Sequence, residues 1–444
     1  MRYSLAFLCL LLQSMPAVSR AQAATPAESS EMVRALLDRI DRLEKRVAEL
    51  ESRSGAPGAS TPTAPEAAAP VTQEAAKPNP AEAAPSQLVA EPQMTSGHAG
   101  MPQMTAPSPR IEGFSDINFA ATDKHGSHSG FNEGQFVLHF NSALSSKVNF
   151  MGELSLTART DAGTGTPAAT GFNAEVERAI IQFQQNDYFK VSFGRYHTPI
   201  NWWNMTFHHG QWLQTTAARP EMVQFGGSFL PIHFVGTLVE GTLPANGMNL
   251  NYNFGLGNGR SSVISRAGDW GDINNNKAWL AGLFSRPSGL YGFQFGGSVY
   301  RDEITRAAGN QFREWIQSAH VVWQKGDPEL IAEFSNVTHR EVGAMIQSNS
   351  QAWYVQAGYR LPWFEKLWKP YYRFEYIHIP GSDRLFNTIV EGKLVPVVPS
   401  LAGSTLGVRY DISSFAALKF EYRNQRRPGE PRVNGAFAQT SFTF

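Results

Sequence analysis

The segment MNLNYNF at residues 248–254 indicates the fold, because its large apolar side chains and its asparagines alternate along an extended chain. The same period of two recurs at residues 136–141 (FVLHFN), 148–156 (VNFMGELSL) and 418–423 (LKFEYR). A soluble β-sandwich would also alternate, but here the polar face includes charges while the opposite face stays apolar. A closed barrel with an apolar outside and a wet interior accounts for both faces. The pattern therefore predicts an all-β fold, a transmembrane antiparallel β-barrel.

About sixteen such segments can be placed in residues 110–444. Short connections such as residues 145–147 and 412–415 alternate with long ones such as residues 160–174 and 379–401. Bacterial barrels have an even strand number, short periplasmic turns and long external loops. We therefore predict about sixteen strands, with fourteen or eighteen as alternatives, and both ends of the barrel chain in the periplasm. The segments start near Ile111, Gln135, Val148, Glu175, Tyr188, Pro231, Gly247, Lys277, Tyr291, Arg313, Glu329, Gln351, Pro370, Ala402, Ala416 and Gly435.

Both ends of the chain carry signals for export. Residues 1–23 have a short basic head, an apolar run and a small-x-small site at residues 21–23, which predicts a signal peptide. The only cysteine, Cys9, lies inside it, so the mature chain is expected to have no thiol. The chain ends with Phe442 and Phe444 on one face of an alternating strand, which resembles the signal that outer-membrane barrels present to their insertion machinery. We expect a Gram-negative outer-membrane protein that contacts outer-membrane lipid.

The 38 basic and 38 acidic residues of the whole chain are in balance. A strongly basic surface is the electrostatic signature of a protein that binds nucleic acid. We therefore expect no nucleic-acid partner.

Residues 24–53 are predicted to form a periplasmic coiled-coil segment. β-Branched residues and leucines alternate at a spacing of three and four, and Arg39 and Arg46 stand at positions where a parallel partner would offer Glu44 and Glu51. The alternative is an amphipathic helix that lies on the barrel or on lipid. The seam pattern nominally favours two strands, whereas a porin barrel favours a homotrimer, so dimer and trimer both stay open. The seam residues are Val33, Leu36, Ile40, Leu43, Val47 and Leu50.

Residues 54–109 are dominated by Ala, Pro, Ser, Gly and Thr, and they have too few large apolar residues to bury a core. We predict a disordered linker. Its last part contains Met94, His98, Met101 and Met104, a set of thioethers and imidazole that would suit copper. A linker with incidental methionines is the favoured interpretation, and we expect neither a metal nor a cofactor.

The longest connection, residues 197–230, is unusually aromatic for a surface loop, so we expect it to pack against another part of the protein. General porins fold their third external loop into the lumen, and the position of this loop resembles that arrangement. We predict that it forms the pore constriction, where Arg219 and Glu221 set a transverse field. The alternative is that its aromatic residues only wedge the loop against the wall. The candidate constriction residues are Trp202, Trp203, His208, His209, Trp212, Arg219 and Glu221.

The segment GRYHTPI at residues 194–200, together with RAIIQF at residues 178–183, resembles a hairpin of the phosphate-selective porin O and P family. The coiled-coil pattern and the terminal Phe resemble that family too. The resemblance implies a sixteen-stranded, trimeric anion channel with a run of basic residues along its lumen. Here the inward candidates have mixed charge, so fold and channel activity are carried over and phosphate selectivity is not. The candidate lumen-wall residues are Glu153, Arg178, Lys190, Glu333, Arg373, Glu375, Arg409, Lys419, Glu421 and Arg423.

Passive diffusion of small polar solutes or ions through a water-filled barrel is the function that these patterns favour. The main alternative is an outer-membrane anchor or tether protein with a plugged barrel and a periplasmic coiled coil. An enzyme barrel would need a nucleophile and an acid beside His208 or His209, and no such motif accompanies them. Oxygen-bearing side chains at residues 269–276 could bind calcium, but without a calcium-loop frame a plain polar loop is favoured.

Overall fold

The computed structural model describes residues 109–158, 172–207, 210–224, 229–243, 247–264, 274–324 and 328–444. The chain divides into two compact units, residues 1–78 and 79–444, and the described residues all belong to the second. The predicted signal peptide, the coiled coil with its seam and the methionines of the linker lie outside the described residues. Those assignments stay predictions.

Sixteen antiparallel strands pair in chain order and close into a barrel, in which the last strand pairs with the first. A separate two-stranded hairpin, β14–β15, belongs to one connection. The strands are β1 Arg110–Thr122, β2 Gly130–Ala143, β3 Val148–Ala158, β4 Phe172–Asn186, β5 Phe189–His197, β6 His233–Leu243, β7 Leu250–Asn258, β8 Ala278–Ser285, β9 Phe293–Thr305, β10 Gln311–Trp323, β11 Glu329–Glu341, β12 Gln347–Gly358, β13 Trp368–His378, β14 Asn387–Val390, β15 Lys393–Pro396, β16 Leu401–Ser413, β17 Ala416–Arg426 and β18 Val433–Thr443.

The prediction of sixteen barrel strands is confirmed. Fifteen of the predicted starts lie within four residues of the observed ones, and β2 begins five residues before the expected Gln135. The alternation of connection length is less complete than the sequence indicated. Residues 306–310 and 342–346 are turns of only five residues at the end of the barrel that carries the long loops. In the first of these turns Gly309 adopts φ +88°, a conformation that favours glycine.

The period of two in the sequence becomes an alternation between the barrel wall's two faces. Along β12 every second residue is buried and the residues between are exposed. In β10, Trp315 and Trp323 point outward, whereas Glu314, Ile316 and His320 are buried inside. Because closure pairs each strand on both edges, the backbone groups of the wall are satisfied without water. The sequence pattern therefore follows directly from the geometry of a closed sheet.

The chain closes the barrel with its last residues. Thr443 of β18 pairs with Phe114 of β1, and the backbone of Phe444 exchanges two hydrogen bonds with Gly113, at 2.9 and 3.1 Å. The Phe444 ring stacks on Phe136 at a centroid distance of 5.6 Å. A Cβ at position 113 would lie 2.5 Å from a Phe444 ring carbon, so glycine is required there. The aromatic C-terminus thus covers the seam of the barrel.

We call the end of the barrel at which the chain enters β1 and leaves β18 the turn end, and the opposite end the loop end. The loop end carries the connections 159–171, 198–232, 259–277 and 379–400, the last of which contains β14 and β15. Within the described part of the chain, none of the helices has the length and apolar character needed to cross a bilayer.

Candidate conduit and the loop inside the barrel

The described residues of the connection from β5 to β6, which are 198–207, 210–224 and 229–232, lie inside the barrel, and we call this connection the inner loop. Glu333 of β11 accepts hydrogen bonds at one carboxylate oxygen from the backbone N–H of Trp202 and Trp203, at 2.5 and 2.8 Å. Glu421 of β17 accepts one from the N–H of Ala217 at 2.7 Å. These glutamates stand at inward positions on two separated strands, so the inner loop crosses the lumen.

Inward cations hold the carbonyl groups of the same loop. Arg409 of β16 donates to the carbonyls of Trp212 and Gln214 at 2.7 and 2.9 Å. Lys419 of β17 donates to the carbonyls of Gln211 and Thr216, the second at 3.1 Å. The wall therefore binds both kinds of backbone group in the loop. Acidic wall side chains accept hydrogen bonds from its N–H groups, and basic wall side chains donate hydrogen bonds to its carbonyls.

Arg373 of β13 makes the most extensive of these contacts. Its guanidinium donates to the carbonyl of Ala218 at 2.8 Å, and to the carbonyl of Arg219 and the hydroxyl of Thr216 at 3.2 Å each. The side chain is only 1% exposed in the assembled barrel. Glu375, two residues along the same strand, accepts a hydrogen bond from the N–H of Glu221 at 2.7 Å. Together these two side chains hold residues 216–221, the part of the inner loop that leads back toward β6.

The first part of the inner loop packs as a small apolar core. A short helix, α1 (Trp203–Phe207), brings the rings of Trp202 and Trp203 against Phe207 at centroid distances of 4.8 and 4.9 Å. Trp203 also meets Tyr354 of β12 edge-on at 6.0 Å. The inward face of β9–β13 supplies apolar partners for this core, including Ile304, Phe312, Ile316, Ile331, Val337 and Ile377. Around α1, the lumen beside these strands is therefore filled.

Another part of the lumen wall is polar and partly accessible to water. Along β10 and β12 every inward residue is buried, whereas some inward residues of β1–β4 and β17 keep part of their surface. We call these partly exposed inward residues the polar strip. All of them except Met151 are polar: Asn118, His139, Asn141, Asn149, Met151, Arg178, Gln182, Gln184, Arg423 and Gln425.

Arg219 of the inner loop lies in the electrostatic field of two wall carboxylates, Glu177 of β4 and Asp116 of β1. Burial lowers the pKa of Arg219 to about 9, and the charges of Glu177 and Asp116 act in the opposite direction. Its guanidinium also donates to the carbonyl of Val223 at 3.1 Å. Because a guanidinium is charged at neutral pH, a cation on the loop faces anions on the wall.

A second charged group lies near the same part of the wall. Glu153 of β3 forms ion pairs with Arg178 at 2.5 Å and with His139 at 3.0 Å. His197 ends β5 and His233 begins β6, at the points where the inner loop leaves and rejoins the wall. The two residues lie opposite each other in the sheet, and the imidazole of His233 is 2.8 Å from the carboxylate of Glu177. These acids and bases alternate, so the polar strip carries charges of both signs.

The residues predicted for the constriction fall into separate environments. Trp202 and Trp203 belong to the apolar core against the wall, and the carbonyl of Trp212 is bound by Arg409. Arg219 faces the polar strip, while Glu221 forms an ion pair with Arg427 at 2.9 Å. His208 and His209 lie outside the described residues.

The lumen-wall candidates also have separate roles. Six of them bind the inner loop: Glu333, Arg373, Glu375, Arg409, Lys419 and Glu421. Arg423 pairs with Glu421 at 2.5 Å, and Glu153 pairs with Arg178. Lys190 borders a cavity of about 260 Å³ on the turn side of α1. No sequence motif marks Asp116, Glu177, Arg195, His139, His197 or His233 as site residues, although the inward parity of their strands places His139 and Glu153 on one face.

The loop end has its own buried polar cluster, which fixes residues 379–400. His339 of β11 bonds Asp383 of that loop at 2.9 Å and Glu314 of β10 at 2.8 Å. Arg260 pairs with Glu314 at 3.0 Å. Burial acts to raise the pKa of Asp383, but hydrogen bonds from His339 and Ser350 outweigh it and hold the pKa below its usual range. The long loop is thereby tied to the barrel wall.

Comparison with solved structures gives the fold. The structure is similar to an anion-selective porin from Comamonas acidovorans (TM-score 0.53, 12% identity, 76% of this chain and 100% of that chain). It is also similar to OmpF of Salmonella typhi (0.52, 12%, 76% and 97%) and to the outer membrane channel DcaP of Acinetobacter baumannii (0.50, 14%, 78% and 100%). Neither the protein-family models nor the curated proteins contain a match. The chain therefore has the sixteen-stranded barrel fold of outer-membrane porins.

Proposed function

We propose that this protein is a porin of the Gram-negative outer membrane, with its turn end and N-terminal segment in the periplasm. Small polar solutes or ions diffuse passively along the polar strip, and the inner loop narrows the lumen to that strip. The observation that carries the proposal is the division of the lumen. The inner loop and its apolar core pack against the wall on one side, while several inward residues of β1–β4 and β17, such as Asn118, Gln182 and Gln425, are polar and partly exposed. The porin fold supports the same function.

Selectivity for phosphate is not part of this proposal. The resemblance to the phosphate-selective porin O and P family implies basic residues that line the solute path. Arg373, Arg409 and Lys419 instead donate to carbonyl groups of the inner loop. The cations that remain near the polar strip include Arg178, Arg219 and Arg423, and all three face carboxylates. We therefore propose a channel for small solutes in which both signs of charge line the narrow part.

Single-channel recording of the refolded mature protein in a planar bilayer tests the proposal. We expect stepwise conductance in symmetric salt, and a modest reversal potential in a salt gradient, because the polar strip carries charges of both signs. A matched recording on the alanine variant of Arg219 should shift the reversal potential toward cation preference, because a cation that faces Glu177 and Asp116 is removed. A barrel that inserts but conducts no current would contradict the proposal.

The plugged anchor is the second candidate, and the dry packing of the inner loop favours it. Trp203 is 1% exposed, and along β10–β13 every inward side chain of the described residues is buried except Glu341 at the loop end of β11. The same recording separates the two, since a tether needs a stable barrel but no current. In that case the periplasmic coiled coil would carry the function.

An enzyme barrel is less well supported. Among the described residues, a serine, a histidine and an aspartate meet at the loop end, but their geometry does not favour catalysis. Ser350 donates to Asp383 at 2.7 Å, and His339 bonds Asp383 through one nitrogen and Glu314 through the other. In a hydrolase triad the histidine, and not the aspartate, must take the serine's proton. Here both imidazole nitrogens are bonded to carboxylates. The cluster is better explained as a support for residues 379–400.

We further propose that the protein forms a homotrimer through the outward face of β18 and β1–β6. Trp and Tyr are the residues that barrels place at the two lipid interfaces. As described, these strands present neither residue outward; Tyr196 is buried. The outward Trp and Tyr residues lie on β7–β17: Tyr252, Trp279, Trp315, Trp323, Trp353, Trp368, Tyr372, Tyr376, Tyr410 and Tyr422. A face without this aromatic belt is better matched to another protomer than to lipid.

Two outward alanines provide a matched test of this interface. Ala438 of β18 lies on the face without Trp and Tyr, and Ala319 of β10 lies on the aromatic face. We expect Ala438→Trp to shift the oligomer to monomer, because a large ring would separate the protomers, while Ala319→Trp stays trimeric. Native mass spectrometry of the detergent-solubilised protein reads the difference. A trimer that survives Ala438→Trp but dissociates on Ala319→Trp would place the interface on the other side.

A further inference from the structure

A cavity of about 710 Å³ opens at the loop end, and described residues of four chain segments line it: 262–264, 306–312, 341–346 and 384–397. Its volume lies within the range of sites that hold small organic molecules. The cavity is remote from the polar strip, since its walls stand on β9–β12 and the strip follows β1–β4 and β17. It is therefore a separate feature from the proposed conduit.

The walls of this cavity are mostly apolar. Ile264 and Phe312 are buried in its floor. On its rim, Val263, Ile346 and Ile389 are 46%, 46% and 56% exposed, although they lie at the water-facing loop end. Clustered apolar side chains exposed to water are typical of a surface that binds another molecule. The cavity is thus suited to the apolar body of a ligand.

Two cations stand in the same cavity. Arg306 and Arg384 both line it, and Arg306 donates to the backbone carbonyl of Arg384 at 3.1 Å, which ties residues 306–310 to residues 379–400. The one acidic side chain of the described lining, Glu341, accepts a hydrogen bond from Asn310 at 2.7 Å. The lining is net cationic. Because a guanidinium matches a carboxylate with two parallel hydrogen bonds, arginines in an apolar cavity favour a carboxylate ligand.

We propose that this cavity binds a small amphipathic carboxylate, whose apolar body contacts Ile264, Phe312 and Ile389 and whose anion pairs with Arg306 and Arg384. Such a site would concentrate aromatic or short aliphatic acids at the mouth of the barrel. The proposal stands independently of the channel, because it concerns a cavity outside the polar strip.

Equilibrium dialysis of the mature protein in lipid nanodiscs tests the proposal with three probes. Benzoate carries both the apolar body and the anion, benzamide carries the body alone, and acetate carries the anion alone. We expect saturable binding of benzoate and much weaker binding of the other two. In the double variant Arg306→Ala/Arg384→Ala, benzoate affinity should fall by roughly tenfold or more, since charge-assisted hydrogen bonds are lost. Filling the cavity with Ala308→Trp should also abolish binding.

Arg432→Ala is the matched control, because Arg432 is an exposed arginine of another loop-end connection, residues 427–432. It should bind benzoate like the parent protein. The channel conductance of all variants should stay unchanged, which separates a failure of this site from a failure of the channel. Equal binding of benzamide and benzoate, unaltered affinity in the double variant, or no saturable binding of benzoate would each overturn the proposal.

Discussion

Replacing Glu333 with alanine is expected to release the start of the inner loop from the barrel wall. One oxygen of this carboxylate accepts the N–H groups of both Trp202 and Trp203, and the residue is 2% exposed. Alanine would leave two buried donors without an acceptor, at a cost of about 2–5 kcal/mol in the stability of that packing. We expect α1 and its tryptophans to move from β11, so that the channel conducts more current with larger fluctuations.

Glu333→Gln is the matched control for this prediction. Its amide oxygen can still accept both N–H groups, so packing should weaken less than in the alanine variant. Single-channel conductance, current noise and protease cleavage within the inner loop should all rank the parent, glutamine and alanine forms in that order. Equal conductance and cleavage in all three would show that the apolar core of Trp203, Phe207 and Tyr354 holds the loop without the carboxylate.

The barrel was predictable because its physical cause is local. A residue such as Tyr252 faces outward because its neighbours Asn251 and Asn253 face inward, and this alternation can be read from the sequence within a few residues. Even strand number and connection lengths follow from the same reading. The two five-residue connections, 306–310 and 342–346, differ from the expected long loops but leave the strand count unchanged.

The roles of the inward charges were not predictable in the same way. Strand parity places Lys419 and Arg409 inside the barrel, but it does not reveal what they contact. Their partners are backbone carbonyls near residues 211–216, about two hundred positions away in the chain. A contact with a backbone carbonyl cannot be predicted from residue identity, because every residue has such a carbonyl. Six of the ten charged residues predicted to line a solute path thus bind the inner loop, where the acids accept hydrogen bonds from its N–H groups and the bases donate to its carbonyls.

Asp116 and Glu177 are two inward carboxylates that the sequence pattern did not identify at all. Glu177 is the extra residue of a bulge in β4, because the neighbours Glu153 and Leu154 of β3 pair with Arg178 and Val176, so the alternation of β4 shifts by one residue. Asp116 lies opposite a similar shift that belongs to β2, between Glu133 and Phe136, while β1 itself keeps its alternation. Parity counted through such a shift assigns the wrong face. The structure brings both carboxylates into the field of Arg219, a residue that the sequence did select. The position of Glu177 opposite Arg219 thus depends on one irregularity of the wall, whereas Asp116 follows the regular alternation of its strand.

The alanine variant of Arg373 should have the largest effect on the size of solute that passes. This guanidinium holds Thr216, Ala218 and Arg219 through three hydrogen bonds, and the loop beyond it carries the cation that faces the polar strip. Removing it leaves buried acceptors unpaired and costs about 2–4 kcal/mol in loop packing. Residues 216–219 should then withdraw from the wall, so that the lumen widens beside β1–β4. Liposome swelling with sugars of increasing size measures the cut-off directly.

Arg373→Lys separates the effect of charge from that of geometry. Lysine keeps the cation but lacks the planar fork that reaches two carbonyls at once, so its cut-off should lie between those of the parent and alanine forms. If the lumen is narrowed by the inner loop, swelling rates for the larger sugars should rise several-fold in Arg373→Ala, with little change for the smallest, because only the larger ones are held back at the loop. Unchanged rates for every sugar would mean that the loop does not set the cut-off, even though Arg373 binds it. The narrow part would then have to lie among the charges of the wall, where Glu153, Arg178 and His139 already form a connected group.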